Sequence, residues 1–177
     1  MSLRFYMILP KQYHRLIEEW NLRFGLFLTI KHHEAIEEMI SPKELLLSVH
    51  QYDYQDSLIG FGTYRVCFSD GNDTLASIYS HIAQNYDSPE ERQMLINIQQ
   101  QQQIYIDNAK FWYDFLKIAF KEYKIERIGF IFGMFCKDVE SFYLKQKPLK
   151  IYTLKFSDIT SFKDLMKIED NEITYIV

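Results

Sequence analysis

SPEERQMLINIQQQQQIYIDNAKFWYDFLKIAFKEY, residues 88–123, is the stretch whose reading decides the fold. Ser88 can cap a helix, Pro89 suits its first position, and Glu91 can reach back to complete a capping box. Beyond this start, Leu95, Ile98, Gln102, Tyr105, Ala109, Trp112, Leu116, Ala119 and Tyr123 recur at spacings of three and four, which sets them along one seam of a helix. Phe111, Phe115 and Ile118 widen the seam. Asp107, Lys110, Asp114, Lys117 and Lys121 share another face, where each acid has a lysine three or four residues away, so this side is solvated. From Ile104 onward the stretch therefore reads as a core helix with one wet side.

Its length is a problem. An unbroken helix of this span would be about 54 Å long, whereas a compact domain of this size is about 40 Å across. The helix is expected to kink, to split or to protrude, and the polar run Gln99 to Gln103 is the natural place for a break. If it protrudes, Met94, Leu95 and Ile98 require a cover. A second copy of the chain is the simplest one, with Gln102 setting the register of a homodimer as a polar residue does in a coiled coil. The alternative is two helices packed within one monomer.

Outward from this stretch, the chain of 177 residues, 47% apolar and 25% charged, has the composition of one globular domain with a sizeable core. Arg4 to Leu9 reads as a strand, Pro10 to Phe24 as an amphipathic helix ended by Gly25, Leu26 to Ile30 as a strand, and Lys31 to Ile40 as a short helix. Leu45 to Tyr54 and Leu58 to Phe68 suggest a hairpin, Ser69 to Asp73 a loop, and Leu75 to Tyr86 a helix. After the long helix, Ile125 to Phe135 is apolar on both faces and is the natural central strand. Asp138 to Leu144 adds a helical turn, Leu149 to Phe156 a strand, Ser161 to Ile168 a helix and Glu172 to Val177 a last strand. The fold class expected is α+β: one domain over residues 1–177, with a mixed, mostly antiparallel sheet packed by helices.

Charge and cysteine content narrow the function. A net charge of −4 without a cluster of Lys and Arg argues against binding a nucleic-acid backbone. Phe5 to Leu9 is too short to span a membrane and is closed by Pro10, so no membrane association is expected and a cytoplasmic address follows. The isolated Cys67 and Cys136 build no disulfide framework, which suits a reducing compartment.

Chemistry has few footholds. His33 and Glu37, four apart, could share a helix face, but the spacing is not that of a zinc-binding HExxH helix and no third ligand is evident, so no metal is assigned. His50, Tyr52 and Tyr54 share one face of a strand, with Arg65 in the next strand, and together they form the candidate pocket or interface. Asp53 has the opposite parity to His50, so an edge hairpin with tyrosines stacked across it accounts for these residues more simply than an active site. Neither a catalytic triad nor a phosphate-binding glycine loop is present, and no cofactor is implied. Thirteen tyrosines on an acidic chain without catalytic motifs fit a protein-binding role. The expectation is an inhibitor or immunity-type protein that meets a basic partner by charge complementarity. The alternative is a small-ligand-binding protein or enzyme with its pocket near the 45–68 hairpin.

Overall fold

Strand β1 (Ser2–Pro10) lies at the middle of the sheet, antiparallel to β3 (Glu44–Gln51) on one side and to β4 (Ile128–Phe135) on the other. The computed structural model describes residues 2–51, 89–135, 148–169 and 172–177. Three further strands, β2 (Leu26–Ile30), β5 (Lys150–Leu154) and β6 (Glu172–Ile176), complete a six-stranded sheet in the order β2-β3-β1-β4-β6-β5. All pairs are antiparallel except β5 with β6.

Burial on both faces explains why β1 and β4 read as continuous apolar runs. Phe5, Met7 and Leu9 join a large core on one face, while Tyr6 and Ile8 join a smaller core on the other. The large core is covered by α1 (Leu16–Phe24), the long helix α3 (Pro89–Lys121) and the single turn α4 (Phe162–Leu165). Its centre is aromatic: the Trp112 ring sits edge-on to Phe5, Phe115 and Phe130 at centroid distances of 5.3, 5.1 and 5.5 Å. Ala109, Trp112, Leu116 and Ala119 are all buried, as the seam of threes and fours requires. Ala35 and Ile36 of the short α2 (Glu34–Glu37), with Ile40 beyond it, pack on the opposite face.

Most expected elements are present at shifted boundaries. A 3-10 turn (Lys11–Tyr13) precedes α1, so the helix proper starts at Leu16 rather than at Pro10, and Gly25 ends it in a left-handed conformation, φ 63°. Only one turn of the expected Lys31–Ile40 helix forms, and β4 starts at Ile128, after Lys124 has turned with φ 54°. The Ser88 cap, the 58–68 strand, the 75–86 helix and the 138–144 turn lie outside the described residues.

The long helix is single. Its 33 residues span about 50 Å. The nine-residue β1 reaches about 30 Å, and six strands side by side cover about 24 Å between outer axes. Even the diagonal of the described sheet is therefore shorter than the helix, and α3 extends past it whatever its direction. Burial on the sheet is described from Ile106 onward.

Candidate functional site

Two polar features stand out against this fold. The first is a buried carboxylate at one end of the sheet. Glu44 opens β3, and its side chain is only 2% exposed. Oε2 accepts hydrogen bonds from the Ser41 amide (2.8 Å) and from the Tyr175 hydroxyl (2.9 Å), while Oε1 lies 2.6 Å from an Arg127 guanidinium nitrogen. Arg127 also stacks over the Tyr175 ring at 5.0 Å. That ring lies across Gly129, its direct partner in register, where a Cβ would come within 2.9 Å of Tyr175 Cε1 and 3.0 Å of Ile8 Cβ. Burial, and then the bond to Glu44, push the Tyr175 hydroxyl well above its ordinary pKa. A neighbouring cleft of about 530 Å³ is lined by Lys11, Lys43 and Arg127 as well as Glu44 and Glu126. With Oε2 hydrogen-bonded and Oε1 buried against the Arg127 guanidinium as an ion pair, Glu44 braces the ends of β3, β4 and β6 and presents no open oxygen to a substrate.

The second feature is the β5 edge. All five residues of the strand are exposed, and its large side chains stand in solvent: Ile151 at 54%, Tyr152 at 45% and Leu154 at 36%. Beside them a groove of about 340 Å³ runs between β5, β6 and α4, lined by Tyr152, Leu154, Ile159 and Ile168. Asp158, Asp164, Glu169 and Glu172 line it too, against the one cation of Lys167. Asp164 is already committed. It accepts from the Thr160 and Ser161 amides, closes the capping box of α4, and pairs with Lys167 at 2.9 Å, so its carboxyl is held well below the usual carboxylate range, first by Lys167 and then by Thr160 and Ser161. Asp158 and Glu172 have no cation partner among the described residues. The groove thus offers apolar walls and two carboxylates, Asp158 and Glu172, without an ion pair among the described residues.

Of the residues singled out from sequence, His50 lies near the end of β3 with its backbone opposite Phe27 of β2. Tyr52, Tyr54 and Arg65 lie outside the described residues. Met94, Leu95, Ile98 and Gln102 fall within α3, and their side chains are not described. The imidazole that meets Glu37 is that of His32, Nδ1 to Oε1 at 3.1 Å, and His33 instead occupies the position before α2. Among the described residues no group of three His, Cys, Asp or Glu could hold a metal ion, and no helix is long and apolar enough to cross a membrane. Sequence reading missed Glu44, which looks like an ordinary charge before a strand. It also missed the exposure of Lys150 to Leu154, where only a strand was expected.

Fold and surface together define an α+β fold with a six-stranded, mostly antiparallel sheet that carries an apolar, acid-flanked edge. No family model matches the chain, and comparison with curated proteins and with solved structures gives no match either.

Proposed function

We propose that this protein is a non-enzymatic protein-binding domain, of the inhibitor or immunity type, that meets a basic partner at the β5 edge. The supporting observation is the groove beside that strand, where exposed Tyr152 and Leu154 adjoin Asp158 and Glu172, which have no ion-pair partner among the described residues, with Ile151 exposed on the strand's other face. Exposed apolar side chains rimmed by charge of one sign are what a protein interface requires: burial supplies affinity, and the charge speeds association with a basic partner and rejects acidic ones.

Charge reversal at Asp158 and Glu172 tests this reading, because Asp158 lies in an exposed 3-10 turn and Glu172 opens a strand, so neither supports the core. The partner retained by the wild-type chain from its native host is to be identified, purified and titrated against wild type and the D158K/E172K variant. The expected result is a basic protein whose association rate falls about tenfold or more in the variant and falls with added salt in the wild type. A chain that repeatedly purifies alone, or a partner indifferent to both substitutions, counts against the reading.

A further inference from the structure

We infer that the partner docks by adding an extended strand to the open edge of β5, with basic side chains on the groove side and apolar ones on the Ile151 side. This inference rests on the protein-binding reading above and specifies how that binding is made.

Backbone geometry at the end of β5 supports it. The Val177 amide donates to the Leu154 carbonyl at 2.9 Å, and the Phe156 amide donates to the Val177 carbonyl at 2.7 Å. In a parallel ladder the residues that bond to the neighbour alternate with residues whose amide and carbonyl point the other way. Tyr152 and Leu154 therefore face β6, while the backbone groups of Ile151 and Thr153 face outward. Among the described residues no strand pairs with β5 on that side. An outward row of donors and acceptors is a template for another strand, and natural edges of this kind are covered, charged or used.

Side-chain placement then selects the occupant. Tyr152 and Leu154 stand on the helix-covered face, beside Thr174 and Ile176, next to the groove and its carboxylates. Ile151 stands on the opposite face, beside Ile173. An added strand projects alternate side chains to the two faces. On the groove side, lysine or arginine can lay an aliphatic stem along Tyr152 and Leu154 and bring its charge to Asp158 or Glu172. On the other side an apolar residue extends the surface begun by Ile151. The chemistry recognised is thus an extended peptide alternating basic and apolar residues, contributed by a protein partner rather than by a second copy of this acidic chain.

Fluorescence anisotropy tests this with a labelled octapeptide alternating lysine and valine, and with the same peptide N-methylated at every residue, which keeps charge and side chains but removes every amide donor. The unmethylated peptide is expected to bind saturably and the methylated one about tenfold or more weakly, the equivalent of one or two net hydrogen bonds. T153P removes an outward amide while sparing the bonds to β6, and proline is tolerated at such edge positions, so it is expected to weaken the unmethylated peptide to a similar degree. Equal binding by the two peptides overturns strand addition and leaves the acidic-groove reading standing, as does absence of binding by either peptide when D158K/E172K still releases the natural partner. Light scattering that finds a dimer dispersed by T153P assigns the edge to a second copy and overturns the inference.

Discussion

Gly129 and Tyr175 form one cross-strand unit in which the missing side chain of the first makes room for the ring of the second. The arrangement explains a glycine inside an otherwise large-residue strand, because a Cβ at 129 would be trapped between the tyrosine ring and the branched Cβ of Ile8. G129A is therefore expected to destabilise by about 1–3 kcal/mol through overpacking. At this chain length that lowers Tm by about 2–12 °C in calorimetry, and an unchanged Tm would show that the ring is free to move aside. The Tyr175 hydroxyl makes a second prediction. Its raised pKa means that the folded state keeps this proton when the unfolded state has lost it, so the associated stability is whole below the ordinary tyrosine pKa of about 10 and declines as pH rises beyond it. Y175F removes a bond to a buried carboxylate and should cost about 1–3 kcal/mol at pH 7. Above pH 10 the wild type should lose its advantage at up to about 1.4 kcal/mol per pH unit, so that urea denaturation curves of the two proteins converge. Parallel curves from pH 7 to 11 would refute this assignment. The bond between Glu44 and Tyr175 was not legible in the sequence, since the two are 131 positions apart and no periodicity marks a carboxylate that is buried because distant strands converge on it.

Legibility was much better for single elements, where the signal is local. The α3 seam was readable because helical period and burial coincide over Ala109, Trp112, Leu116 and Ala119, and β4 because its residues are apolar on both faces. What the glutamine run would do was not readable. Its residues favour helix well enough to continue one, and α3 passes through them unbroken. Lys150 to Leu154 were readable as a strand but not as an exposed one, because a strand's composition does not reveal whether a neighbour covers it. Amide hydrogen exchange gives this element its own test. With bonds to β6 made by alternate residues, the Tyr152 and Leu154 amides should be protected and those of Ile151 and Thr153 should exchange at nearly unprotected rates, while Phe5 to Leu9 and Ile128 to Ile131 are slowest of all. Uniform protection along β5 would mean that something already covers its outer edge.

At the scale of the whole molecule, strand order is a property that no segment carries alone, and β6 shows the consequence. It is among the last strands along the chain, yet it sits between β4 and β5, while β1 from the other end pairs with β4 across more than a hundred residues. Closure of the sheet is thus strongly non-local, which favours folding in milliseconds to seconds rather than microseconds. Ile173, Tyr175 and Ile176 are all buried, and at about 1.5–3 kcal/mol each their burial supplies about 5–9 kcal/mol as an upper estimate. That is comparable with the whole stability of an ordinary domain, about 5–15 kcal/mol. Without β6, moreover, β5 has no described neighbour, the edge of β4 is bare, and Glu44 loses a hydroxyl donor inside the protein. A chain ending at Glu169 is therefore expected to lose its cooperative thermal transition and the near-ultraviolet circular dichroism of the Trp112, Phe115 and Phe130 core. Adding a peptide of residues 170–177 in excess should restore both, because the missing strand binds only the folded form and draws the equilibrium toward it. A truncated chain that keeps both signals would show that β1, β3 and β4 with α3 form a self-sufficient core, and that β5 and β6 are an appendage to it.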